Sequence, residues 1–180
     1  MLNRVGVGRK GLSLTVLGVA AALGAVVLVQ PVSSQAQQPP SEATVAAGLQ
    51  VWRTAACGLC HGTFGNGEKT QDEAPTGANL RTTKIDAATM IETIKCGRPG
   101  TGMPYFDPLA WTKSACYGLP LAAEPPAGSR PPNADLNTEK IALVVAYIQA
   151  KLQGKPDITK ADCSYYYGIP ATDPGCSSFK

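Results

Sequence analysis

Apolar residues are spread along this chain in three different ways. Between Gly11 and Val29 they run without a single charge. From Ser41 to Ala56, and again from Asn137 to Leu152, they return every three or four positions. Val45, Gly48, Leu49 and Trp52 fall on one face of the first segment. Ile141, Val144, Val145, Ile148 and Leu152 make one stripe in the second, with Tyr147 beside it. Side chains at that spacing share a face of a 3.6-residue helix. Ser41 and Asn137 are good N-caps, and Glu42 and Glu139 stand in the first turns, where the helix dipole favours an acid. Lys151 and Lys155 lie near the end of the second helix, with Gly154 as its stop. A shorter helical pattern runs from Asp86 through Met90, Ile91, Ile94 and Lys95 to Cys96-Gly97. Gly97, Pro99, Gly100, Gly102 and Pro104 make the next stretch a loop with Met103 at its centre. Residues 105–136 hold Tyr105, Phe106, Trp111, Tyr117 and six prolines without a period, and read as an irregular wrap. The pattern predicts an all-α protein of three or more helices.

The uncharged run at the N-terminus follows Arg4, Arg9 and Lys10. Pro31 breaks any helix, and Ser34-Gln35-Ala36 offers small residues where a signal peptidase reads. Residues 1–36 are therefore expected to be a cleaved signal peptide. The alternative is an uncleaved anchor, because Gly11 to Val29 is just long enough to span a bilayer. In either case the remainder is exported, to the periplasm or to the periplasmic face of the membrane. Membrane association is expected only if the segment is retained. Residues 37–41, with Pro39-Pro40, read as a linker.

Composition narrows the picture further. The chain is 44% hydrophobic, which is too apolar for disorder, and its 19 glycines and 15 prolines are too many for a plain helical bundle. The formal charge of +3 comes from the N-terminal segment. Without Arg4, Arg9 and Lys10, 13 basic residues face 13 acidic ones. A neutral body offers no basic face, so nucleic acid is excluded as a partner.

The candidate chemistry lies in six cysteines and one histidine. In an oxidising compartment six cysteines suggest three disulfides. Cys57-Gly58-Leu59-Cys60-His61 breaks that reading, because C-x-x-C-H is the pattern of covalent haem attachment. Two residues between the thiols match the separation of two vinyl groups on one porphyrin edge, and the next residue reaches the iron as proximal ligand. A thioredoxin-like site would need a strand before the motif, where this sequence has a helix. A zinc site would need a second ligand pair, and there is none. Two thioethers leave Cys96, Cys116, Cys163 and Cys176, which allow three pairings. We expect Cys96 with Cys116 and Cys163 with Cys176, since each pair closes a short loop.

With these residues the chain resembles the class I c-type cytochromes that carry one haem, over about residues 42–153. The resemblance rests on the first helix before C-x-x-C-H, Gly77-Ala78-Asn79-Leu80, the helix from Asp86 to Cys96, Gly102-Met103-Pro104 and the long helix from Thr138 to Leu152. It implies a cytochrome c-like fold around one covalent haem c held by Cys57 and Cys60, with His61 and Met103 as the axial iron ligands. A thioether on a glycine-rich loop can approach the iron closely and favours the ferrous state. Met90 is the other candidate, but its spacing with Ile94 assigns it to the core. The resemblance also implies that Gly48 and Trp52 cross the last helix beside Tyr147. They stand one residue further from Cys57 than in the common pattern, so an irregularity around Thr54 to Ala56 is expected. Residues 105–136 are expected to lie against the haem or its edge. Residues 154–180, with Tyr165-Tyr166-Tyr167, are expected to form a disulfide-clasped extension.

The function these expectations imply is electron transport rather than catalysis. With both axial positions filled, a single electron passes between redox proteins, a periplasmic dehydrogenase as donor and a terminal oxidase or second cytochrome as acceptor. Lys95 and Arg98 beside the Met103 loop would steer such encounters. Two alternatives stay open: a haem enzyme or ligand sensor with an open distal position, and a cytochrome subunit dedicated to one dehydrogenase.

Overall fold

The structure, a computed structural model, describes residues 39–180. The expected signal peptide or anchor, and the first part of the linker, lie outside these residues. Five α-helices and no strand are found among the described residues: α1 (Glu42–Thr54), α2 (Gly58–His61), α3 (Ala87–Cys96), α4 (Thr138–Tyr147) and α5 (Lys160–Tyr167). None of them is long and apolar enough to cross a membrane. The all-α expectation holds at this level.

The predicted caps start the helices. Ser41 Oγ accepts from the Thr44 amide at 3.2 Å, Asp86 Oδ1 from Thr89 at 2.8 Å, and Asn137 Oδ1 from Lys140 at 2.9 Å. Each bond satisfies an amide that the first helical turn leaves without a partner. The stripe of α4 is buried throughout and packs on Val45, Leu49 and Trp52 of α1. Gly48 makes that crossing close. A Cβ there would stand 2.1 Å from the Leu143 carbonyl oxygen, and the Trp52 and Tyr147 rings lie 5.8 Å apart. Met90 is only 3% exposed and belongs to the same core, as its helical spacing predicts. α3 lies against α4.

Two features depart from the pattern. After Tyr147 the last helix widens into a π-turn, Ile148–Leu152, which keeps Ile148 and Leu152 buried. The apolar spacing alone could not separate this from α-helix. The extension is also more ordered than a tail. Thr159 and Asp162 form a capping box that opens α5, and Cys163 and Cys176 join it to a short 3₁₀ turn, Pro174–Cys176. The T-x-x-D spacing signals such a box, but α5 has little apolar periodicity to accompany it.

Residues 106–136 form a loop whose ends meet, the Leu136 amide donating to the Phe106 carbonyl at 2.8 Å. It contains only isolated bridges. Cys96 and Cys116 are disulfide-bonded, and Trp111 Nε1 donates to the Cys96 carbonyl at 3.0 Å. These contacts fasten the wrap to the end of α3.

Candidate functional site

The segment carrying the two free cysteines begins where α1 fails to continue. Ala55 still bonds to Val51, but Ala56 turns to φ +55° and the Cys57 amide reaches back to the Trp52 carbonyl at 3.1 Å. This left-handed residue is the irregularity expected between Thr54 and Ala56. It redirects the chain into α2, a single turn that carries Cys60 and His61, with Cys57 at its N-cap.

Cys57, Cys60 and His61 thus stand on one turn. The other four cysteines are paired, Cys96 with Cys116 and Cys163 with Cys176, whereas Cys57 and Cys60 are free thiols. Burial pushes the Cys57 thiol up to about 12. It also raises Cys60, against a lowering by the nearby Arg130 guanidinium. Both are therefore neutral thiols at neutral pH. His61 Nδ1 lies 2.8 Å from the Ala78 carbonyl oxygen. A carbonyl can only accept, so Nδ1 carries the proton and Nε2 keeps its lone pair. Burial holds the imidazole below its ordinary pKa, more than the Ala78 bond offsets. A neutral ring with its outer nitrogen free is the form that ligates a metal.

The backbone around His61 is packed tightly. The Gly77 amide donates to the Cys60 carbonyl at 2.8 Å, and a Cβ on Gly77 would stand 2.7 Å from His61 Nδ1. No other residue fits there without moving the ring. The stretch from Gly77 to Leu80, singled out in the sequence, thus runs directly behind the histidine.

Met103 is half-buried and packs on the same core that receives Cys57 and Leu80. Its loop closes on itself, with Arg98 N donating to the Met103 carbonyl at 3.1 Å and Met103 N to Thr101 Oγ1 at 3.2 Å. Gly102 lies against Pro75, two residues before Gly77; a Cβ on it would come within 2.4 Å of the Pro75 side chain. The wrap braces both halves of the site. Gly100 and Tyr105 donate to the Gly128 and Arg130 carbonyls, and Asn133 Nδ2 donates to the Ala55 carbonyl at 3.3 Å. Lys95 bonds to Glu92 and to the Ala115 carbonyl, while Arg98 is exposed.

Compared with family models, curated proteins and solved structures, the chain matches none.

The donor set can be judged on its own chemistry. Two free thiols and a neutral imidazole on one turn, with a thioether on a neighbouring glycine loop, suit a covalently attached haem. A second group, Glu92, Cys96 and Cys116, has its ligand atoms within 4.8 Å of one another, but its sulfurs are bonded to each other and offer no thiolate.

Sequence reasoning did not single out Arg81. It is wholly buried, and its guanidinium donates to the Phe64 carbonyl at 3.2 Å, to the Asp157 carbonyl and to Asp162 Oδ2 at 3.1 Å. Nothing in the local pattern announces a buried arginine, because its partner is in the extension.

Proposed function

We propose that this protein is an exported, single-haem electron carrier with a cytochrome c-like fold. The observation that carries the reading is the division of the cysteines: four pair with one another, and the two left free stand immediately before a histidine whose Nδ1 proton is already held by Ala78. In an oxidising compartment two thiols three residues apart have no other evident reason to stay unpaired.

Cys57 and Cys60 would hold haem c as thioethers, and His61 and Met103 would supply the protein's ligands to its iron. The bound group supplies a one-electron couple between ferric and ferrous iron. The chain's own residues set the conditions. The Ala78 carbonyl fixes the tautomer and direction of His61 and makes Nε2 a stronger donor. The α1–α4 core, with Met90, Leu80 and Phe106, supplies apolar surroundings that disfavour the more highly charged state. The disulfide at Cys96 anchors the root of the Met103 loop. With no reacting substrate to bind, the protein exchanges electrons with redox partners, a periplasmic dehydrogenase as donor and an oxidase or second cytochrome as acceptor.

The test is mass and extraction. The purified protein should be heavier than its polypeptide by one haem and should keep its colour through acid–acetone extraction. Cys57→Ala with Cys60→Ala should lose both properties. Haem stripped from the unmodified protein by that extraction would overturn the reading.

A further inference from the structure

Arg81 sits where three parts of the chain meet. Its amide donates to Asn79 Oδ1 at 2.9 Å and to the Gly65 carbonyl at 3.3 Å. Its carbonyl accepts from the Gly154 amide at 2.9 Å, just beyond the π-turn. Its guanidinium crosses to the extension, where Asp162 Oδ2 also accepts from the amide and hydroxyl of Thr159 at 2.8 and 2.9 Å. Asp162 is in turn the neighbour of Cys163, whose disulfide clasps α5.

From Arg81 back to His61 there is little slack. Asn79 Oδ1 braces the amides of Arg81 and Thr82, and the Leu80 amide donates to Gly65 at 2.8 Å. Ala78, whose carbonyl holds the His61 proton, comes next, and the Gly77 amide is bonded to Cys60. The strip 77–81 is thus fixed at one end by the C-x-x-C-H turn and at the other by the arginine. An ion pair with a wholly buried arginine is a weak source of net stability, because that charge loses its hydration. Its planar fork gives fixed direction instead, since it engages several acceptors at set angles.

We infer that Arg81, latched by Asp162 of the extension, is a positioning residue that holds the Ala78 carbonyl on His61 Nδ1 and so tunes the proximal ligand. The inference rests on the haem reading for its effect on the iron. A firm Nδ1–H···O bond makes Nε2 more basic and favours ferric iron; a loosened one shifts the couple toward ferrous. The C-terminal extension then does more than cover the core: it sets the stiffness of the histidine's support.

The experiment compares the holoprotein with Asp162→Asn, Arg81→Lys and Thr159→Ala. Two quantities are read, the midpoint potential and the solvent exchange of the His61 Nδ1 proton by NMR of the ferrous form. Asp162→Asn and Arg81→Lys should speed that exchange on the order of tenfold and raise the ferrous-to-ferric ratio at fixed ambient potential by about threefold. Thr159→Ala removes a cap from α5 but keeps the Asp162 carboxylate; it should lower the melting temperature and leave both readouts unmoved. If the first two variants only melt earlier, with potential and exchange unchanged, the latch is merely structural and the inference falls. A parent protein without covalent haem would sink the proposed function instead. The latch is then read from Nδ1 exchange in the haem-free chain, where no response to Asp162→Asn overturns it. Should Asp162→Asn fail to fold, Arg81→Lys, which keeps the charge and loses the fork, carries the decision.

Discussion

At the scale of single residues, the two internal methionines separate cleanly. Met90 is buried in the core, where its side chain fills space between α3 and α4, while Met103 is half-buried on a loop shaped by glycines. Met90→Ala should cost about 2–5 kcal/mol of stability, read from denaturant unfolding, and leave the haem spectrum unchanged. Met103→Ala should do the reverse. Under the proposed ligation it should abolish the near-infrared charge-transfer band of methionine-ligated ferric haem, lower the potential and open the iron to carbon monoxide, because a soft ligand that favours ferrous iron would be gone. Rapid carbon monoxide binding by the unmodified protein, without that band, would favour an enzyme or sensor over a carrier.

At the scale of elements, the joint between α1 and α2 invites a test. Ala56 sits at φ +55°, a conformation that costs a residue with a Cβ roughly 1–2 kcal/mol and glycine almost nothing. Ala56→Gly should therefore be neutral or stabilising by up to about 1 kcal/mol, against the loss the same change brings inside a helix; a clear loss in melting temperature would contradict this account. Gly48→Val should go the other way. It forces α1 from α4 at their closest approach and should cost at least about 1–3 kcal/mol. The cap of α3 adds a pH signature. The Thr89 amide and hydroxyl hold the Asp86 carboxyl below its ordinary pKa. Its contribution is complete above the unfolded value and fades as the pH falls through the lower folded one. Asp86→Asn keeps a good cap and should flatten that part of the stability profile, measured as unfolding midpoints between about pH 6 and pH 3.

At the scale of the whole molecule, one disulfide fastens the wrap to the helical core and the other closes the extension on itself. Cys96–Cys116 holds the wrap to the root of the Met103 loop. Cys163–Cys176 closes the extension, whose aromatic residues gather on Phe64, three residues after His61: the Tyr166 and Phe179 rings lie 5.5 and 5.1 Å from it. Arg53 and Lys151 lie over Tyr166 and Tyr165 and tie α5 to α1 and the π-turn. Non-reducing peptide maps should recover these two linkages and no cross-link between them. Removing either pair by double Cys→Ala substitution should cost about 3 kcal/mol in the chain-entropy model. Under the proposed Met103 ligation, loss of Cys96–Cys116 should in addition weaken the near-infrared band, since that bridge anchors the Met103 loop, while loss of Cys163–Cys176 should not abolish it.

The sequence by itself determined α1, α3 and α4 and the residues that cap them, because both depend on spacing within a dozen residues. It also marked Cys57, Cys60, His61 and Met103 as the chemically unusual positions, and the disulfide partners followed from short loops between cysteines. Tertiary structure alone decided what surrounds the histidine. The Ala78 carbonyl has no side-chain signature, and the Gly102 contact with Pro75 joins distant loops. Arg81 carries no local mark of burial, because Asp157 and Asp162 come to it from the far end of the chain. The π-turn was hidden for a related reason: widening one turn leaves the buried stripe in place, so only the backbone bond from the Gln153 amide to the Ile148 carbonyl, five residues back at 2.8 Å, reveals it. Local pattern fixes periodicity and caps, whereas a buried charge or a backbone acceptor is set by whichever remote segment folds against it.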